Sequence, residues 1–125
     1  MILGIGIDLV SIPRIEKILR KWEDRFKKRV FSKREIEYSE GYKRSGQHFA
    51  ATFAVKEAFF KALEKGFKYD IRMVDIEILR DEYGKPYANL YGKAKQVVET
   101  MGINSIHVSI SHDGEYSVAV VVFEK

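Results

Sequence analysis

The stretch HFAATFAVKEAFFKALEKG, residues 48–66, constrains the fold more than any other part of the chain. Its spacing predicts a helix closed by Gly66. On a helical wheel Phe53 and Phe60 flank Glu57 on one side, and Ala50 and Ala54 flank it on the other. The helix is therefore apolar over most of its circumference, as a central helix is, and the remaining elements have to wrap around it. Glu57 is expected to enter that packed interior, where a carboxylate needs a compensating partner. Lys61 stands one turn later on the same face. The plain reading is an i,i+4 ion pair with Glu57, worth about 0.2–0.5 kcal/mol.

The opening MILGIGIDLV reads as a buried strand over residues 2–9, with Leu3, Ile5, Ile7 and Leu9 on one face and Gly4, Gly6 and Asp8 on the other. Ser11 and Pro13 read as an N-cap and an early-helix proline. The helix they open runs to about Lys28, with Ile15, Ile18, Leu19, Trp22 and Phe26 on its apolar side. SKRE, residues 32–35, is a capping box that opens a second helix fading near Gly41. Beyond the central helix come a strand at 73–79, the turn RDEYGKP and its hairpin partner YANLY. A short helix (GKAKQVVETMG) follows, and then two strands, SIHVSIS and YSVAVVVF, joined by HDGE. The order predicts an α+β fold in which a mainly antiparallel sheet packs with a long central helix.

No repeat, linker or composition shift divides the 125 residues, so one domain over 1–125 is expected. The absence of cysteine excludes disulfides, thiolate metal sites and thiol nucleophiles. The apolar runs are too short to span a bilayer, and no basic n-region with a cleavage site opens the chain. A cytoplasmic location, with no membrane partner, is the expectation. The net charge of +4 points to acidic partners.

Three groups of residues could carry chemistry. Asp8 is read either as a turn aspartate or, with Glu57, as one of two carboxylates holding Mg²⁺. That ion typically takes one or two carboxylates and completes its octahedron with phosphates and water. Gly4 and Gly6 would let another group approach the strand backbone closely. His107, Ser109 and Ser111 share one face of a strand. They read either as a solvated face or as hydrogen-bonding groups along a ligand cleft; there is no G-x-S-x-G elbow for Ser-His hydrolysis. Between Ser11 and Arg34 ten Lys/Arg stand against three Asp/Glu. Arg14, Lys17, Lys21 and Arg25 recur at helical steps as one stripe. This is a solvated face or a surface for an acidic protein, an anionic membrane or nucleic acid, although no aromatic interleaving favours stacked bases.

Four stretches, GIGIDLVSIPRIE, FAVKEAFFKAL, YGKPY and HVSISH, resemble the holo-[acyl-carrier-protein] synthases, the short 4′-phosphopantetheinyl transferases, in order and spacing over essentially the whole chain. The resemblance implies transfer of phosphopantetheine from coenzyme A to a serine of apo-acyl carrier protein, with release of adenosine 3′,5′-bisphosphate, in support of fatty acid biosynthesis. It implies that Asp8 and Glu57 bind Mg²⁺ and that Lys61 lies near the phosphates, these three forming the catalytic set. It implies that Gly84 and Pro86 flank the adenine part of the cofactor, and that His107, with Ser109 and Ser111, lines the same cleft. Arg14 matches a position that docks the acidic carrier, and the stripe through Lys17, Lys21 and Arg25 extends it. A homotrimer with active sites between subunits is implied, and nucleic acid is not an implied partner. One departure is Thr52, where many members have Arg; Lys43 or Arg44 could supply that charge. The rival readings are a basic nucleic-acid-binding module and a metal-dependent phosphohydrolase.

Overall fold

The computed structural model describes every residue except Lys65, and the backbone alone at Phe67. Its elements are β1 (Ile2–Ser11), α1 (Ile12–Val30), α2 (Lys33–Glu40), α3 (Ser45–Ala62), β2 (Ile76–Arg80), β3 (Pro86–Leu90), α4 (Gly92–Thr100), β4 (Ser105–Asp113) and β5 (Tyr116–Glu124). The strands form an antiparallel three-stranded sheet in the order β1-β5-β4 and a two-stranded hairpin, β2-β3. The α+β architecture and the central helix are as expected. Ala50, Ala54, Val55, Ala58 and Phe59 of α3 are fully buried. The helix begins at Ser45 rather than His48 and ends at Ala62, where Leu63 turns extended. Gly66, at φ 43°, opens a short 3-10 turn instead of closing the helix. Position 65 of the expected helix lies outside the described residues.

Two close contacts lock α3 onto the sheet. Gly4, Gly6 and Asp8 alternate onto the face of β1 that meets the helix. A Cβ at Gly6 would run into the carbonyl oxygen of Ala58 and come within 2.8 Å of the Ala62 amide nitrogen. A Cβ at Gly4 would run into the carbonyl oxygen of Ala62. The small row Ala54, Ala58, Ala62, spaced by one turn each, matches the bare strand, so helix and strand backbones touch. The group that approaches the glycines is thus α3.

This packing reverses the expected burial of β1. Ile5, Ile7 and Leu9 are 61%, 58% and 64% exposed, because the helix covers the glycine face and none of the described residues covers the aliphatic one. The pairing Ile5↔Val122↔His107, Ile7↔Val120↔Ser109 and Leu9↔Val118↔Ser111 makes that outer face continuous across all three strands.

The second correction concerns α1. Glu23 breaks it with φ 41° and ψ −121°, so the element is two helical segments rather than one. Beyond the break Phe26 turns inward, its ring 5.8 Å from Phe31 and 6.1 Å from Phe53. Trp22, expected on the apolar side, is left 48% exposed. The capping box is as read: the Ser32 hydroxyl accepts from the Glu35 amide at 3.2 Å and Glu35 accepts from the Ser32 amide at 2.8 Å.

The helix–strand contact yields a stability contrast. Gly6→Ala is expected to cost about 3 kcal/mol or more, since backbone overlap cannot be relieved by a rotamer change. Gly84→Ala meets nothing within 4 Å. At φ 81° it should cost only the left-handed strain of roughly 1–2 kcal/mol. Urea unfolding of the two variants reads the difference.

Candidate active site

Past the glycines, the next inward position of β1 is Asp8. Its carboxylate is 15% exposed and accepts a 2.9 Å hydrogen bond from Lys61 Nζ. Glu57 lies one turn before Lys61 on α3. It is half-buried at the margin of the core rather than inside it. Burial first, and the Asp8 charge second, push the Glu57 carboxyl above the ordinary range, while Lys61 and Arg14 pull it down. Asp8, Glu57, Lys61 and Arg14 therefore form one electrostatic cluster, brought together from β1, α3 and the first turns of α1. The expected Glu57–Lys61 pair gives way to a bond that crosses from helix to strand: Lys61 selects Asp8 because the glycines bring that strand against its own helix.

The donor set fits a hard divalent cation. Two carboxylates face one space, and the Asp8 charge is one cause of the raised Glu57 carboxyl. No group of three or more His, Cys, Asp or Glu able to hold a metal occurs among the described residues. A thiolate- or imidazole-rich zinc site is thus not what these residues build, whereas Mg²⁺ needs no more than this pair.

His107 and its row lie elsewhere. Asp8 pairs in register with Ala119 and through it with Ile110, whereas Ser109 pairs with Val120 and Ile7. His107, Ser109 and Ser111 thus occupy the outer sheet face, opposite Asp8. His107 Nε2 is 3.0 Å from Glu124 Oε1, and that contact lowers the Glu124 pKa. His107 also borders a cleft of about 320 Å³ whose other wall is the β2–β3 turn, including Lys85 and Pro86. The turn is shaped by Asp81, whose Oδ1 accepts from the amides of Tyr83 and Lys85, each at 2.9 Å, with Gly84 left-handed between them. One chain therefore carries two separate groups: Asp8, Glu57, Lys61 and Arg14 on the α3 side, and the Pro86–His107 cleft on the other.

The basic stripe is interrupted. Arg14, Lys17 and Lys21 are exposed on the first segment of α1, and Arg25 follows the Glu23 break. Lys21 and Arg25 flank the exposed Trp22 ring, at 5.2 and 6.0 Å from its centroid. Thr52 is buried. Of its two candidate substitutes, Arg44 is held by Glu16 at 3.4 Å and Glu115 at 3.0 Å, while Lys43 is exposed.

The chain matches the family model of the 4′-phosphopantetheinyl transferase superfamily over residues 4–121. A holo-[acyl-carrier-protein] synthase of Syntrophus aciditrophicus is 48% identical over 124 residues, 99% of this chain and 97% of that protein. The chain belongs to the holo-[acyl-carrier-protein] synthase family of phosphopantetheinyl transferases. The crystal structure of the Neisseria meningitidis synthase superposes with a TM-score of 0.92 at 32% identity, covering 100% of both chains. The Helicobacter pylori synthase, solved in complex with coenzyme A, superposes with a TM-score of 0.84 at 36% identity, covering 96% of this chain and 99% of that one.

One buried pair was not foreseen. Lys56, next to Glu57, is fully buried and donates to Glu35 Oε1 at 2.7 Å and to the carbonyls of Val30 at 2.6 Å and Met73 at 2.9 Å. Glu35 also accepts from the Ile78 amide at 2.7 Å. This hub ties α3 to α1, α2 and β2 on the side away from β1. Its sequence signal is the ring of Thr52, Phe53, Phe59 and Phe60 one turn either side of Lys56.

The raised Glu57 pKa carries a stability consequence. Between the ordinary Glu pKa and the higher folded value, the native state binds more protons than the unfolded state, so stability falls as pH rises through that window. In metal-free protein Glu57→Gln should be more stable than wild type at pH 7. That advantage should vanish once the pH drops below the ordinary Glu range, where the wild-type carboxyl is protonated in both states. Thermal unfolding in a chelator across pH checks both limbs.

Proposed function

We propose that the protein transfers the 4′-phosphopantetheine group of coenzyme A to a serine of apo-acyl carrier protein, with Mg²⁺, releasing adenosine 3′,5′-bisphosphate. This would equip the cytoplasmic carrier for fatty acid biosynthesis. The observation that carries the reading is the Asp8–Glu57–Lys61 cluster in a chain of this family: two carboxylates and an ammonium in one space suit a diphosphate and the ion that accompanies it.

Asp8 and Glu57 hold the Mg²⁺, which when bound neutralises charge developing on the diphosphate. Lys61, on its flexible stem, adds a positive charge against the same phosphates. The carrier serine oxygen attacks the β-phosphorus. The bond to the bridging oxygen breaks, and the electron pair leaves with adenosine 3′,5′-bisphosphate. Glu57 receives the serine proton. The Pro86–His107 cleft takes the nucleotide end of coenzyme A, with Gly84 at its turn and Ser109 and Ser111 farther along the His107 row.

The active unit is a homotrimer. Support comes from the outer face, where Ile5, Ile7 and Leu9 join Val118, Val120 and Val122 in an apolar surface of a kind that monomers seldom leave to water. The His107 row lies along that surface. Because the nucleotide cleft and the Asp8–Glu57 cluster stand on opposite faces of one chain, the complete site takes one from each of two neighbouring copies.

The carrier docks on the first segment of α1. Arg14 belongs partly to the Glu57 cluster, so Lys17 and Lys21 are the clean probes of docking. The test follows the intact mass of an apo carrier incubated with coenzyme A, Mg²⁺ and enzyme. Wild type should add the phosphopantetheine mass. Lys17→Glu with Lys21→Glu should raise the KM for the carrier about tenfold, leave that for coenzyme A unchanged, and remove the slowing of the wild type above about 0.15 M salt. Release of free phosphopantetheine with an unmodified carrier would identify a phosphohydrolase instead.

A further inference from the structure

Lys61 is read as a phosphate contact, yet its ammonium sits 2.9 Å from Asp8, on a carboxylate assigned to the metal. Resting on the reading of Asp8 and Glu57 as the Mg²⁺ ligands, we propose that Lys61 is a built-in stand-in cation. It occupies Asp8 while the metal is away and moves to the diphosphate when the metal arrives, so that Mg²⁺ and coenzyme A bind with positive coupling.

Charge and exposure carry the inference. The two carboxylates are faced by two cations, Lys61 from α3 and Arg14 from α1, so the cluster is neutral without a metal. An ammonium bonded to a carboxylate offsets part of its charge and repels a divalent ion brought to the same group. The Asp8 side chain is 15% exposed and fixed on the strand, whereas that of Lys61 is 53% exposed and can swing outward. Entry of Mg²⁺ alone therefore competes with a bonded ammonium, and moving that ammonium off leaves it without an anion. Entry with a diphosphate gives that ammonium a new partner and changes the cluster charge from zero to +2, complementary to the ligand. Coupling of this kind is reciprocal: whatever coenzyme A adds to Mg²⁺ affinity, Mg²⁺ adds to coenzyme A affinity.

The prediction runs opposite to that for a residue serving only the phosphates. Removing Lys61 should tighten Mg²⁺ binding to the free enzyme while weakening the coupling. Isothermal calorimetry of Mg²⁺ with full-length protein, with and without coenzyme A and without carrier so that nothing turns over, measures both. Lys61→Met is expected to bind Mg²⁺ alone at least about fivefold more tightly than wild type, the lower end of ordinary coupling. The improvement that coenzyme A brings to Mg²⁺ affinity should shrink by a similar factor. Lys61→Gln, which keeps a donor for Asp8 without the charge, should change in the same direction and serves should the methionine variant not fold. Equal or weaker Mg²⁺ binding by the folded variant in the absence of coenzyme A overturns the proposal. Asp8→Asn separates the two layers: if it binds Mg²⁺ as wild type does, the metal-site reading itself falls. If it loses Mg²⁺ while Lys61→Met gains nothing, only the stand-in role falls.

Discussion

The contact between α3 and β1 determines most of what this molecule can do. Two glycines remove the side chains that would hold the helix off the strand, and the Ala54–Ala58–Ala62 row removes the reciprocal obstacle. A helix resting on strand backbone brings Asp8 into the space shared by Glu57 and Lys61. The same contact decides which face of the sheet is covered. With the glycine face taken by α3, the aliphatic face of β1 and its neighbours on β5 turn outward. The Asp8–Glu57–Lys61 cluster and the exposed aliphatic face are therefore two consequences of one packing choice.

A second constraint acts from the other side of the helix. Lys56 and Glu35 are buried together, and their remaining hydrogen bonds go to backbone groups around Val30, Met73 and Ile78. Removing one partner of such a pair strands a charge in the interior and costs about 3–5 kcal/mol. Lys56 and Glu57 are consecutive, so the hub that fixes one fixes the direction of the other. The helix is held at a defined rotation between a polar anchor and a bare strand.

Much of this was legible in the sequence because it is local. The capping box at Ser32, the hairpin around Gly84 and the alternation of Gly4, Gly6 and Asp8 are each written within a few residues. What was not legible depends on which elements meet. The aliphatic alternation of β1 looks like a core face, and only the covering helix shows that the glycine face is the packed one. Lys61 has an obvious partner one turn away, yet its bond crosses to a residue far off in sequence. The interior position of Lys56 is signalled only by the apolar ring one turn either side of it, and the break at Glu23 by no local pattern. The strand order β1-β5-β4 and its register, which no local pattern spells out, put His107 and Asp8 on opposite faces of the sheet.

That separation makes subunit sharing the central claim of the account. It is tested by mixing two variants, each lacking one half-site. Asp8→Ala keeps the His107 cleft, and His107→Ala keeps the metal cluster. Each is purified alone and found deficient, and the two are then dissociated and reassembled together. Transfer to an apo carrier should reappear in the mixture, because an intact Asp8 from one subunit meets an intact His107 from its neighbour. A mixture no more active than its parents, although mixed oligomers have formed, would mean that each chain completes its own site, and would contradict the account.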